Sequence, residues 1–364
     1  MTVELPLTEI ERRDALAGRL FESALGAFDL LTIHLGLDLG LYDTLRGGGP
    51  ASAAELAERA GIDERYAREW LEQQAVTGIL EVDDATADAH ARRYSLPPGH
   101  TEALLDKDSP AASQSMLRFV VSAAPVLPAL AEAYRRGEGI PGDAYPGAMN
   151  AQELANRPIF RSVLCQEWIP AIPDIHTRLG RGGRVADLAC GAGWLAIALA
   201  QAYPAITVDG LDIDSESIER ARGNAAAEGL GEDRLRFHVV DAVKPELDGR
   251  FDLVTIFEAA HDLPRPVEVL ESARRLLAPG GTVLVVDENV QEVFTAPGDE
   301  IERTMYAYSV LFCLPESRVD PASVATGTVM RPATLARYAE EAGFTRVTVL
   351  PIAHEVFRLY RLDP

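Results

Sequence analysis

Cysteine is scarce in this 364-residue chain. Cys165, Cys190 and Cys313 stand isolated and without CxxC spacing, so neither a disulfide framework nor a zinc site is indicated. Reduced, mostly buried thiols are the expected state. Basic charge is also short: 34 lysines and arginines face 56 acids, and the net charge of −22, unbroken by any basic stripe, opposes a phosphate backbone as partner. No apolar stretch reaches the ~18 to 20 residues needed to span a bilayer. The start, MTVELPLTEIERRDALAG, has no basic end followed by an apolar core, so a cytoplasmic location and no membrane partner are expected. Carboxylates scatter at strand ends and no His or Asp cluster has ligand spacing, so no metal is implied. Aromatics make up only 7% of the chain, but hydrophobic residues make up 47%, enough for two domains with sizeable cores.

The segment RVADLACGAGWLAIALA, residues 184–200, carries the most functional information. Val185 to Cys190 reads as a strand, Gly191 and Gly193 break it, and Leu195, Ile197, Ala198 and Leu199 restart an apolar helical face. Such a turn leaves N–H groups unpaired at a helix start, and glycine lets a ligand approach the backbone. Gly191, Gly193, Ala196 and Asp212 formally satisfy a dinucleotide signature. Asp187, four residues before Gly191, argues against it, because a carboxylate facing the turn repels a pyrophosphate and attracts a cation.

From these residues onward the chain resembles the class I S-adenosylmethionine-dependent methyltransferases, whose first motif is DxGxGxG. Here it stands as Asp187, Ala189, Gly191 and Gly193; alanine in the first glycine's place implies a backbone angle that a Cβ tolerates. The resemblance continues through ITVDGLDID, which puts Asp212 at the end of a second strand to accept the ribose hydroxyls and Ile213 beside the adenine. RLRFHVVDAV ends a third strand on Asp241 and Ala242, the adenine edge. FDLVTIFEAAHDL runs a fourth strand to Phe257, also assigned to the cofactor, and Glu258. LLAPGGTVLVVDEN then gives a helix end, a Pro279-Gly280-Gly281 turn and a fifth strand, and TRVTVLPIAHEVFRLYRL a closing hairpin. Taken singly, an aspartate such as Asp212 or Asp241 is more often a helix cap or a solvated turn residue; together at strand ends they point to the cofactor. The implied fold is α/β, a Rossmann-like doubly wound sheet of seven strands with an N-terminal all-α and winged-helix domain. The implied cofactor is S-adenosyl-L-methionine, with S-adenosyl-L-homocysteine as product.

Before the sheet, Ser52 and Glu55 form a capping box opening SAAELAERAG, Asp63 caps ERYAREWLEQQAVTGIL, and LEVDD with ARRYSLPP reads as a two-stranded wing. The pattern over about residues 36–97 is that of a winged helix. Its second helix carries mixed charge and its wing carries Asp83, Asp84 and Asp88, so the phosphate-neutralising charge of a DNA binder is missing. Similar modules in small-molecule O-methyltransferases resemble a dimerisation platform. The apolar helices at about 14–46, His34 among them, seek either a partner chain or their own core. The expected division is 1–100 for dimerisation, 101–182 as helical connector or lid, and 183–364 as cofactor domain.

Connector helices in the resembling family roof the acceptor pocket, which makes Tyr145, Phe160, Gln166 and Trp168 candidate lining residues; plain packing explains each equally well. A second insertion places Met305, Tyr306, Tyr308 and Phe312 at helical spacing, with Tyr308 assigned to substrate and core packing as the other reading. Methyl transfer from a sulfonium needs alignment and exclusion of water. A hydroxyl acceptor must also lose its proton, and His261, three residues after Glu258, is the candidate base. The family's HDW reads His261-Asp262-Leu263 here, with Arg265 downstream, and a structural duty for His261 stands beside the base reading. Glu258 meets the cofactor's amino group, orients His261 or caps the helix near Pro264. His176, on a connector helix, and His354, on a late strand, read as structural. The expected function is methyl transfer to a small molecule, oxygen first, most simply a secondary-metabolite hydroxyl, by a homodimer. The alternatives are a non-methylating enzyme on the same fold and a winged-helix transcriptional regulator.

Overall fold

Strands buried on both faces appear in sequence as near-continuous apolar runs, and the central members of the five strands that line up in parallel here are of that kind. The computed structural model describes residues 8–245, 247 and 250–364. The first seven residues, on which the expected lack of a leader partly rests, lie outside them. The chain divides into two units, Met1–Ser122 and Ala123–Pro364, so the stretch expected to act as a connector is split between them.

In the first unit the helix Glu9–Asp38 opens on a capping box between Thr8 and Glu11. Helices Leu41–Gly48, Ala53–Ala60 and Glu64–Val76 follow, with Ser52 and Asp63 as side-chain caps where the sequence places them. Strands β1 (Glu81–Val82) and β2 (Tyr94–Ser95) pair antiparallel as the wing. Leu41, Tyr42, Leu56, Trp70, Leu71 and Tyr94 form the core. Gly36 is required against it, because a Cβ there would lie 2.4 Å from the Trp70 ring.

The long helix buries only Ile33 and Gly36, and leaves Leu16, Leu20, Phe21, Phe28, Leu31 and Leu35 exposed. Contrary to expectation, two helices, Glu9–Asp38 and Gln114–Arg136, are long and apolar enough to cross a membrane by length and composition. Counting uninterrupted apolar runs overlooks them, because isolated acids such as Glu22 and Asp29 break the run without ending the helix.

The second unit holds a seven-stranded sheet of β3 (Gly183–Leu188), β4 (Ile206–Asp212), β5 (Leu235–Val239), β6 (Phe251–Phe257), β7 (Leu277–Glu288), β8 (Arg346–Val349) and β9 (Phe357–Asp363). Its order is β5-β4-β3-β6-β7-β9-β8, parallel through β7, with β9 antiparallel to both its neighbours. The expected Pro279-Gly280-Gly281 turn is instead taken into β7, where pairing with β6 slips between Phe251 and Leu253. Ile197, Leu199, Val208 and Leu284 sit in one core cluster, and Leu188, Val254, Leu270 and Val285 in another. The chain runs outward from β3 through β4 and β5 and then crosses back to β6 on the other side of β3, so a crevice opens at the carboxyl ends of these central strands.

Candidate active site

β3 ends on Asp187 and Leu188, and the turn that follows puts Ala189, Gly191 and Gly193 at φ of 55°, 50° and 80°. The angle at Ala189 differs from expectation: it lies in the left-handed region that L-residues avoid, so the turn holds Ala189 at a cost of order 1 kcal/mol. The glycines have different duties. A Cβ on Gly193 would meet Phe237 at 2.6 Å and Ala221 at 2.9 Å, so this glycine lets the helix Trp194–Ala202 pack close. A Cβ on Gly191 would meet nothing within 4 Å, so its backbone faces open space.

The carboxylates around this turn are shielded from water. Register pairs Asp187 with Thr255 of β6, whose hydroxyl donates to Asp187 Oδ1 at 2.7 Å. Asp187 Oδ2 is buried with no hydrogen-bond partner among the described residues. Burial, opposed by the Thr255 bond and reinforced by the charge of Asp212, pushes the Asp187 carboxyl up to about 7. Asp212 accepts the Gly191 N–H at 2.8 Å on Oδ2 and the Asp214 N–H at 2.9 Å on Oδ1. Burial raises its pKa despite both bonds. Beside it Ile213 is 71% exposed, an apolar side chain left on the cleft's rim. Asp241, with half-buried Ala242 next to it, pairs with Arg265 at 3.0 Å.

A second constellation follows β6. Glu258 has φ of 47°, donates its N–H to Val286 O and accepts from Gln152 Nε2 at 3.1 Å. It does not cap the next helix, Pro266–Leu276, which has no side-chain cap. His261, 3% exposed, shares a hydrogen bond between Nδ1 and Asp287 Oδ1 at 2.9 Å. Burial works against its charged form, yet the Asp262 and Asp287 carboxylates outweigh it and raise the imidazole well above its ordinary pKa. Burial pushes Glu258 up to about 7 and holds Glu288 well above its ordinary value, the two acids repelling each other. Tyr308 lies within reach of both charges, and burial pushes its phenol up to about 12.

The helix Ala148–Ile159 crosses this crevice. Met149 Sδ lies 3.9 Å from Ser217 Oγ, Glu153 accepts from Arg220 at 2.9 Å and Trp194 at 3.4 Å, and Gln152 reaches Glu258. All four connector residues named as lining candidates, Phe160 in the core among them, are taken up in other contacts. Trp168 is 2% exposed, edge-on to His354 and Phe357 in the core. Gln166 is exposed and donates to the Arg161 carbonyl. Tyr145 is buried, its hydroxyl donating to Leu311 O and its ring 5.1 Å from Phe312. Phe257, assigned to the cofactor, is 7% exposed and packs edge-on to Phe160 in the core.

His354 lies in the loop before β9, not on a strand, and its Nδ1 accepts from Val356 and Phe357. His176 bonds the Tyr203 hydroxyl at 2.8 Å. All three cysteines are free and half-buried, more open than expected. Asp287, Glu288 and Cys313 are functional candidates that sequence reasoning passed over. The strand-end acids of VVDEN were a visible signal for the first two, and nothing local marks Cys313.

The strand order, antiparallel last strand and acidic turn after the first sheet strand define the class I methyltransferase fold. Residues 179–340 match a methyltransferase domain and residues 27–106 an Rv2258c-like winged HTH domain. The ubiquinone biosynthesis O-methyltransferase of Thiobacillus denitrificans is 31% identical over 191 residues, 50% of this chain and 73% of that protein. Its counterpart in Psychrobacter arcticus is 32% identical over 171 residues, 46% of this chain and 62% of that one. The chain thus belongs to the methyltransferase-domain family. It spans about half the length of several curated relatives it matches. Human N-acetylserotonin methyltransferase, solved in complex with SAM, shares the fold with a TM-score of 0.69 at 19% identity, over 95% of this chain and 97% of that one.

Proposed function

We propose that this protein transfers a methyl group from S-adenosylmethionine to a hydroxyl of a small secondary metabolite. The observation that carries the reading is a pair of shielded acids, Asp187 and Asp212, on a left-handed turn whose Gly191 backbone faces open space. A phosphate-bearing ligand meets repulsion there. A cationic nucleoside supplies the charge that Asp187 Oδ2 lacks.

Asp187, Ala189, Gly191 and Gly193 would hold the amino-acid end, Asp212 the ribose, and Ile213, Asp241 and Ala242 the adenine. When bound, the cofactor supplies a methyl group on a sulfonium that leaves as a neutral thioether. The chain's share is alignment, exclusion of water and removal of one proton. Asp287 fixes the His261 ring through Nδ1, and Nε2 takes the acceptor's proton in the neutral form of the ring, which the raised pKa makes more abundant as pH rises. Tyr308 and Glu258 stand beside that base as acceptor contacts.

In the same proposal residues 1–100 pair two copies, 101–182 cover the acceptor and 183–364 hold the cofactor, in the cytoplasm. The exposed apolar stripe Leu16, Leu20, Phe21, Phe28, Leu31 and Leu35 supports a homodimer. Incubation with S-adenosylmethionine and a panel of phenols and other alcohols tests the reading. Stoichiometric S-adenosylhomocysteine with methylated product is expected; a protein that binds no cofactor by calorimetry refutes it.

A further inference from the structure

His261 Nε2 and Asp262 Oδ1 lie 3.4 Å apart, and these two atoms and Cys313 Sγ all lie within 4.8 Å of one another. The three come from the loop after β6 and from a π-helical turn, Ser309–Cys313, that ends on the thiol. A separation of 3.4 Å is long for a hydrogen bond. It is close to the edge of a tetrahedron of nitrogen and oxygen ligands about 2.0–2.2 Å from a zinc ion, about 3.4 Å.

Two further observations point the same way. Asp262 Oδ1 is buried and makes no hydrogen bond of normal geometry among the described residues, so it, Nε2 and the thiol converge without closing a tight bond. On the far side of the ring, Nδ1 is held by Asp287 Oδ1 at 2.9 Å, and that oxygen also accepts the Glu288 N–H at 3.0 Å. A carboxylate on the distal nitrogen is the outer-sphere partner that metal-binding histidines almost always have.

We propose that His261 Nε2, Asp262 Oδ1 and Cys313 Sγ form a binding site for a divalent cation of the zinc class, with the fourth position open. Nitrogen, oxygen and thiolate together suit a borderline-soft ion better than magnesium or calcium. Binding displaces the thiol proton and any proton on Nε2 to solvent. The ion takes the lone pair that the proposed base uses, so loading the site switches proton removal off.

The full-length protein, stripped with a chelator and titrated with Co²⁺, tests this. One equivalent should bind, with tetrahedral visible bands and a thiolate-to-cobalt charge-transfer band. Cys313→Ser should abolish that band, Asp262→Asn should weaken binding at least about tenfold, and Asp287→Asn about 10–100-fold. No charge-transfer band in the wild type, or an unchanged titration in Asp262→Asn, overturns the proposal. Asp262→Asn is nearly isosteric and decides the matter if Cys313→Ser does not fold. The site rests on geometry alone, so failure to bind cobalt leaves the transferase reading standing. Absence of S-adenosylhomocysteine formation in the chelated enzyme tells only against the transferase.

Discussion

The substitution Asp187→Asn should stabilise the ligand-free protein at alkaline pH while weakening its hold on the cofactor. In the folded chain burial pushes the Asp187 carboxyl from its ordinary 3.8 to about 7, a rise worth about 4 kcal/mol between the two protonation states. The sign follows from linkage. A group whose pKa is raised by folding gives its full contribution below its unfolded value, and loses it as pH rises through about 7. At about pH 8 the wild type therefore carries a buried charge that costs up to about 4 kcal/mol, and at about pH 5 it carries almost none.

The asparagine side chain would keep the Thr255 bond on its carbonyl oxygen, but its amide would place a donor where Oδ2 of Asp187 has no partner, costing about 1–3 kcal/mol. The expected net gain at about pH 8 is about 1–3 kcal/mol, or about 2–12 °C in melting temperature for a unit of this size. Differential scanning calorimetry at pH 5 and pH 8, without cofactor, reads the difference directly. Other shielded acids titrate in both proteins, so the variant-minus-wild-type difference at each pH is the quantity that matters. With S-adenosylmethionine present the variant's advantage should fall by about 1.5–3 kcal/mol, because a charge-assisted contact is lost. Parallel melting curves for the two proteins at both pH values would refute the reasoning, since they would mean that Asp187 carries no buried charge.

Asp212→Ala should abolish cofactor binding in calorimetry and release the Gly191 N–H from its 2.8 Å bond; unaltered affinity contradicts the ribose assignment. His261→Ala should lower turnover by about 10²–10⁴-fold with cofactor affinity nearly unchanged, and undiminished turnover removes the base. Gly193→Ala forces a Cβ against Phe237 at 2.6 Å and a side chain onto a φ of 80°. It should cost at least about 2 kcal/mol in urea unfolding, whereas Gly191→Ala, facing open space, should cost about 1 kcal/mol, from its backbone angle, and act mainly on cofactor affinity.

Where the sequence could be read correctly, the governing interactions were local or periodic. Caps such as Ser52 with Glu55 and Asp63 with the N–H groups of Arg65 and Tyr66 act within three residues, so residue types alone specify them. Parallel strands such as β3, β4 and β6 announce themselves as apolar runs, each ending near an acid, and with them came the turn at Gly191 and the strand-end acids Asp187 and Asp212 beside it. What escaped depends on pairing across distance. Asp287 meets His261 only because β7 lies beside β6 in a register that puts Val286 opposite Phe257 and so brings the two strand ends together.

Cys313 reaches the same place from an insertion, through one π-helical turn, and no spacing in the chain encodes that approach. Aromatic residue type misled for a related reason. Trp168 and Phe257 suit a pocket and a core equally by chemistry, and only their packing on Phe357 and Phe160 decides between them. Ala189 shows the limit of reasoning from residue type even within a turn. The hydrogen bond from the Cys190 N–H to Leu211 O and that from Gly191 to Asp212 tie the chain on its far side to β4. Together they outweigh the steric preference of a single Cβ, so the strained angle is set by the neighbouring strand and not by the residue that bears it.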